Sequence, residues 1–203
     1  MNEGYLVVLE SIGSSNPTPG GGTVAALTLA HAHSLAIMVS RLTVNSEKWA
    51  DGHKIANTII STSDEQISKS LDLATADSLA FDAVMMAYKL PKDDPDERKN
   101  AIRKATIDAA QAPLDTMISC HEFLQNLNKL SKGCNSNALT DLASAAELAI
   151  SAAKIAGFNI KININHLSGE DIDSINTQSL NIIDSCTILM QEIITTYEDR
   201  LGW

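Results

Sequence analysis

The chain has 203 residues, 44% of them hydrophobic, and carries 15 Lys+Arg against 25 Asp+Glu, a formal charge of -10. That length can bury a sizeable core in a single domain. The negative balance repels phosphate backbones and anionic lipid surfaces, so neither nucleic acid nor membrane is an expected partner. Cys120, Cys134 and Cys186 stand far apart, which signals neither a disulfide framework nor a thiolate metal site. Met1 to Tyr5 does not read as a secretory signal, no stretch approaches the roughly 20 apolar residues of a membrane span, and a cytoplasmic location is the expectation.

In chain order, the first strong pattern runs from Thr23 to Leu42, where Val24, Leu27, His31, Leu35, Met38 and Leu42 recur at helical intervals among alanines, predicting a closely packed helix. From Ile55 to Lys89 apolar residues keep similar spacing through Ile59, Ile67, Leu71, Phe81, Val84 and Tyr88, which fits one long helix or two nearly continuous ones. Asp94-Pro95-Asp96-Glu97 supplies an N-cap, a proline at the first helical position and an acidic first turn. The helix starting there is expected to break at Pro113, with another running to Lys132 and stopping at Gly133. Asn137 to Ala156, rich in alanine, reads as a helix ending at a left-handed Gly157. Ile160, Ile162 and Ile164 alternate with polar residues as in a short extended segment. Ser168 with Asp171 resembles a capping box for a final helix toward Tyr197. The predicted class is all-α, a single-domain bundle of long helices over 1–203.

Three places could carry chemistry. Asn16-Pro17-Thr18-Pro19-Gly20-Gly21-Gly22-Thr23 joins two stiffening prolines to three glycines, which brings bare amides close to a ligand at a helix start. It lacks the Lys-Ser/Thr ending of a P-loop, and a stiff connection explains it equally well. Asp77 sits among Ala74, Ala80 and Phe81 in an apolar helical pattern, where a carboxylate is costly to bury unless it is paired or working. A solvated acid is the plainer alternative. Gly133-Cys134-Asn135-Ser136-Asn137, followed by Asp141, is a polar cluster opening the alanine-rich helix and reads locally as a cap. His31 and His33 face different directions on their helix, the other histidines are isolated, and no metal site is expected.

Taken together, Ser15 to Gly22, Met38-Val39 with Leu42-Thr43, Asp77 with Ala80-Phe81, Lys89-Leu90-Pro91-Lys92, Pro113-Leu114, Gly133 to Asn137 with Asp141, and Asn159 with Asn163 resemble in order and spacing the formimidoyltetrahydrofolate cyclodeaminase and methenyltetrahydrofolate cyclohydrolase family. The resemblance covers nearly the whole chain. It implies an all-helical homodimer acting on a tetrahydrofolate derivative, with no cofactor beyond that carrier. Asp77 and Asp141 correspond to the family's acids and are the expected catalytic pair. Pro19, Gly20, Gly21, Gly22, Lys48, Lys92, Asn135, Asn137 and Asn163 are the expected substrate-binding set.

Two reactions are implied. In one, 5-formimidoyltetrahydrofolate closes to 5,10-methenyltetrahydrofolate and releases ammonia; in the other, the methenyl form is interconverted with 10-formyltetrahydrofolate. One carboxylate can serve either as general acid or base. The chain departs from the family at Asn45-Ser46-Glu47-Lys48-Trp49, where a lysine-rich run is reduced to Lys48, which bears on affinity for a polyglutamate tail. His31 and His33 also replace small residues. A helical binding module descended from the enzyme is the alternative of a different class.

Overall fold

The computed structural model describes residues 2–203, with side chains from Gly4 onward. Among the described residues there are seven α-helices and no strand: α1 (Asn2–Ile12), α2 (Gly21–Val44), α3 (Ala50–Ser61), α4 (Ser63–Tyr88), α5 (Pro95–Ser131), α6 (Leu139–Ile164) and α7 (Glu170–Leu201). The core lies where α2 packs on α3, α4 and α6, and where α5 packs on α4, α6 and α7. Ala25, Ala32 and Ala36 of α2 and Ala145, Ala149 and Ala156 of α6 are fully buried, and their short side chains let the two axes approach closely. The two helices run antiparallel, because the start of α2 at Gly21 meets Asn159 late in α6, while its end at Leu42 and Thr43 meets Asn135 just before α6 begins.

By length and composition α2 could cross a bilayer, contrary to the expectation that no stretch reaches that threshold, yet 61% of the qualifying window is buried within the fold. A core helix covered on several sides is apolar for the same reason a membrane helix is.

Several boundaries differ from expectation, each for a local reason. Pro113 does not break α5, which runs unbroken for 37 residues. A proline cannot donate to the carbonyl four residues back, and the orphaned carbonyl of Ala109 is taken instead by the side chain of Asn163, whose Nδ2 donates to it at 2.7 Å. Gly157 does not end α6, and Ile160 to Ile164 are helical. Ile160 and Ile164 are also four apart, on one buried helical face, and Ile162 between them is 69% exposed, so alternation and helical period coincide over so short a stretch. Ser168 does not cap α7; the cap is Gly169 at φ 129, while Asp171 holds Arg103 at 2.8 Å. Helix α1 has no sidedness to betray it: Tyr5, Leu6, Val7 and Leu9 are all exposed, and Tyr5 reaches the body through its hydroxyl at 3.1 Å from His31 Nε2. The three cysteines are free and buried.

Candidate active site

The Pro-Gly turn delivers the chain into α2 at Gly20, which caps the helix without a side-chain bond. The first helical bond is the one from the Val24 amide to the Gly20 carbonyl, leaving the amides before it without helical partners. Asp77, projecting from α4, fills that gap. Its Oδ2 accepts a hydrogen bond from Thr23 Oγ1 at 2.9 Å, and the Thr23 amide bonds to the same carboxylate. Ser78 Oγ lies 3.0 Å from Thr23 Oγ1. Gly22 makes this approach possible, since a Cβ there would stand 2.0 Å from Asp77 Oδ1. Burial pushes the Asp77 carboxyl above the ordinary carboxylate range, while the Thr23 hydroxyl and amide pull the other way.

Asp77 opens onto a cleft of about 260 Å³. Pro17, Thr18 and Gly20 to Gly22 form one side, Phe81 and Ala109 another, and Asn159, Ile162 and Asn163 of α6 the third. Asn159 Nδ2 donates to Ile155 O at 2.9 Å and Asn163 Nδ2 to Ala109 O, so each carboxamide spends one of its two N–H groups on backbone and keeps the other, with its oxygen. No lysine, arginine or histidine lines the cleft. It therefore offers both acceptors and donors, and its one titratable group is a carboxylate, which suits a planar ligand carrying positive charge.

Of the residues expected from sequence, Gly20, Gly21, Gly22, Asp77 and Asn163 come together here. Pro19 stands between two lining residues without lining the cleft itself. Lys92 is exposed in the loop between α4 and α5 and does not line it either. The remaining four lie elsewhere. Asp141 precedes Asn159 by eighteen positions on α6, about 27 Å at the helical rise. At that end Asn135 is engaged three times: its amide donates to Thr43 Oγ1 at 3.0 Å, its Nδ2 to Leu42 O at 3.2 Å, and its Oδ1 accepts from the Asn137 amide at 3.0 Å. Lys48 is exposed, with Nζ 4.6 Å from the centre of the Trp49 ring. A single chain thus does not bring Asp141, Asn135, Asn137 or Lys48 to Asp77.

Thr23, Asn159 and Ile162 were not among the expected site residues. Thr23 could have been marked by its place in the first turn after the glycines. Asn159 could have been marked by its four-residue spacing from Asn163, which puts both on one helical face.

Comparison with known proteins places the whole chain in a family. The family model for Formiminotransferase-cyclodeaminase matches residues 6–180. The chain is 32% identical over 82% of its length to a methenyltetrahydrofolate cyclohydrolase of Methylorubrum extorquens, covering 81% of that protein. It is 25% identical over 84% of its length to the formimidoyltransferase-cyclodeaminase of Gallus gallus, of which it spans 32%. Its structure aligns with that of a formiminotetrahydrofolate cyclodeaminase from Thermotoga maritima with a TM-score of 0.81 and 25% identity, covering 97% of this chain and 96% of the other.

Proposed function

Because the chain belongs to the formiminotransferase-cyclodeaminase family, we propose that it is an enzyme converting 5-formimidoyltetrahydrofolate to 5,10-methenyltetrahydrofolate with release of ammonia, and that the chemistry takes place at Asp77. The observation that carries this is a lone carboxylate, held by Thr23 in a cleft lined by no basic side chain. The protonated formimidoyl group is an amidinium cation, and the methenyl product keeps that positive charge across N5, the one-carbon unit and N10. A carboxylate in a cleft lined by no basic side chain complements the charge throughout.

N10 attacks the amidinium carbon, forming the N10–carbon bond. Asp77 takes the N10 proton and passes it to the amino group. The carbon–nitrogen bond then breaks, ammonia departs, and the charge is conserved. Burial raises the carboxyl toward the range in which it can both accept and return a proton. Asn159 and Asn163 offer acceptors to the donor edge of the pterin, and the glycine turn fixes its position. A volume of about 260 Å³ suits the bicyclic head and leaves the tail outside.

A second reading is favoured by the near full-length likeness to the Methylorubrum cyclohydrolase. In it, Asp77 takes a proton from water as water adds to the methenyl carbon; Asp77 returns that proton to N5, the N5–carbon bond breaks, and the new hydroxyl gives up its proton to solvent as it becomes the carbonyl of the 10-formyl form. Incubation with each folate distinguishes the two: the first reading expects the methenyl absorbance to rise with equimolar ammonia. Decay of the methenyl form without any deaminase reaction selects the second. Folate binding with neither turnover selects a binding module.

We further propose a cytoplasmic homodimer. Supporting it are the free buried cysteines and the exposed apolar side chains of α1 and of Met38 and Leu42 on α2, more than a lone subunit ordinarily leaves uncovered. Sedimentation at micromolar concentration checks the oligomer, and a monomer there refutes it.

A further inference from the structure

A folate needs a place for its aminobenzoyl ring and the carboxylates beyond it, and the cleft offers those carboxylates no cation. On a chain of charge -10, a polyanionic tail is repelled unless it finds a local exception. Lys48 stands at the far end of α2, and the two cations of α5 nearest in sequence to Ala109 are engaged, Arg103 with Asp171 at 2.8 Å and Lys104 with Asp108 at 2.9 Å.

The exception lies around the side of α6. Ile162, at the mouth of the cleft, is 69% exposed, and Phe158, its neighbour one turn earlier, is 66% exposed. An aromatic ring so open to water, next to a binding cleft, is a stacking platform in search of a partner. Lys154 and Lys161 flank Phe158 on the same helical face, both are exposed, and neither takes part in an ion pair among the described residues. Together they border a groove of about 90 Å³ whose other wall is Leu180 and Ile183 of α7. Gly157 keeps that groove open: a side chain there would begin to fill it, its Cβ 3.9 Å from Met117 Sδ. Along α6 from the cleft the surface runs from Ile162 past Lys161 to Phe158 and on to Lys154, so an aromatic ring seated on Phe158 has a cation on either side.

Resting on the reading of the Asp77 cleft as the pterin site, we propose that this α6 groove receives the folate tail, with the aminobenzoyl ring on Phe158 and the glutamyl carboxylates on Lys154 and Lys161. The pairs are exposed, so each contributes modestly and salt weakens it.

The test is steady-state kinetics of the wild type and of Lys154→Gln/Lys161→Gln on whichever folate is turned over, as monoglutamate and as triglutamate. The double variant is expected to raise KM for the triglutamate roughly fivefold, at unchanged kcat and melting temperature, and to change the monoglutamate KM by roughly twofold or less. Raising salt should erase the wild-type preference for the triglutamate. Phe158→Ala should weaken both forms alike. The proposal is overturned if the wild type shows no such preference, if the double variant leaves the KM ratio intact, or if Lys48→Gln or Lys92→Gln abolishes the ratio instead. A wild type that neither turns over nor binds either folate refutes the cleft assignment, and the tail site with it. Loss of activity in Asp77→Asn with an intact KM ratio in the double variant keeps the cleft and removes only the groove.

Discussion

At the N-terminal end of α2, polar groups meet with capacity left over. Asp77 presents Oδ1 beside Gly22, and Asn159 and Asn163, whose oxygens take no hydrogen bond among the described residues, line an open cleft. At the C-terminal end, about 32 Å away along the helix, several polar groups tie chain segments together. Asn135 uses its amide, its Nδ2 and its Oδ1, and Arg200 reaches from α7 to cap the carbonyls of Ser131 and Cys134. Gly52 and Gly133 bring backbone against backbone, so that a Cβ on Gly52 would lie 2.4 Å from the Gly133 carbonyl oxygen. Both ends carry the asparagines, glycines and acids that read alike in sequence. What separates the site from the clamp is that the groups at the first end gather around a cleft, while those at the second tie chain segments to one another.

The largest effect that tests this contrast is on turnover. Asp77→Asn keeps shape and removes the proton carrier, so kcat should fall between about a hundredfold and ten-thousandfold, with little change in folate affinity or melting temperature. Asp141→Asn, at the clamp end, should stay within roughly twofold of wild type. The opposite pattern, an active Asp77→Asn and an inactive Asp141→Asn, would move the chemistry to the other end of α2.

Between the two ends, His33 tests whether they stand or fall together. Its ring packs edge-on against Phe123 at 4.6 Å between centres, and burial first, with Lys69 second, lowers its pKa from 6.5 to about 4. The folded state therefore binds fewer protons than the unfolded chain between those values, and stability rises with pH through that window. On acidification from pH 6.5 to 4, His33 should remove about 3 kcal/mol. Denaturant titrations of wild type and His33→Gln across that range measure it. Curves of equal slope would deny the histidine any role.

Next in size is the clamp itself. Gly52→Ala forces a methyl group into the Gly133 backbone, which has no flexible side chain to yield, and should cost about 1–3 kcal/mol of stability. Turnover per folded molecule should be unchanged. A variant that keeps its melting temperature and loses kcat would mean that the clamp end is functional after all.

The helices themselves were legible where the apolar period was long. The pattern beginning at Thr23 and the Asp94-Pro95 start gave α2 and the entry to α5 within two residues. What was not legible depended on partners distant in the chain. Nothing local distinguishes Asn163, which spends its amide on Ala109, from Asn135, which ties the end of α2. Thr23 is an ordinary first-turn residue until α4 brings Asp77 to it, and Gly157 is a plausible stop until α6 is seen to continue through it. The resemblance supplied the candidates at both ends, and only the packing of α4, α5 and α6 around α2 sorted them.

The smallest expected effect concerns how Pro113 reaches the site without touching it. A proline inside α5 leaves the Ala109 carbonyl without its helical donor, and Asn163, which lines the cleft, fills that vacancy at 2.7 Å and is anchored by it. Pro113→Ala restores a backbone amide opposite that carbonyl. The carbonyl has two lone pairs, so Asn163 is not expelled; it merely loses sole possession of its anchor and becomes freer to rotate. Removing an interior proline relieves its cost to the helix, so stability should not fall. Folate affinity should drop roughly threefold, under 1 kcal/mol, with kcat little changed. Asn163→Ala should produce a larger loss of affinity, and adding Pro113→Ala to it should then have no further effect, because the proline acts only through that side chain. Additive losses in the double variant would show instead that Pro113 shapes the cleft through the path of α5.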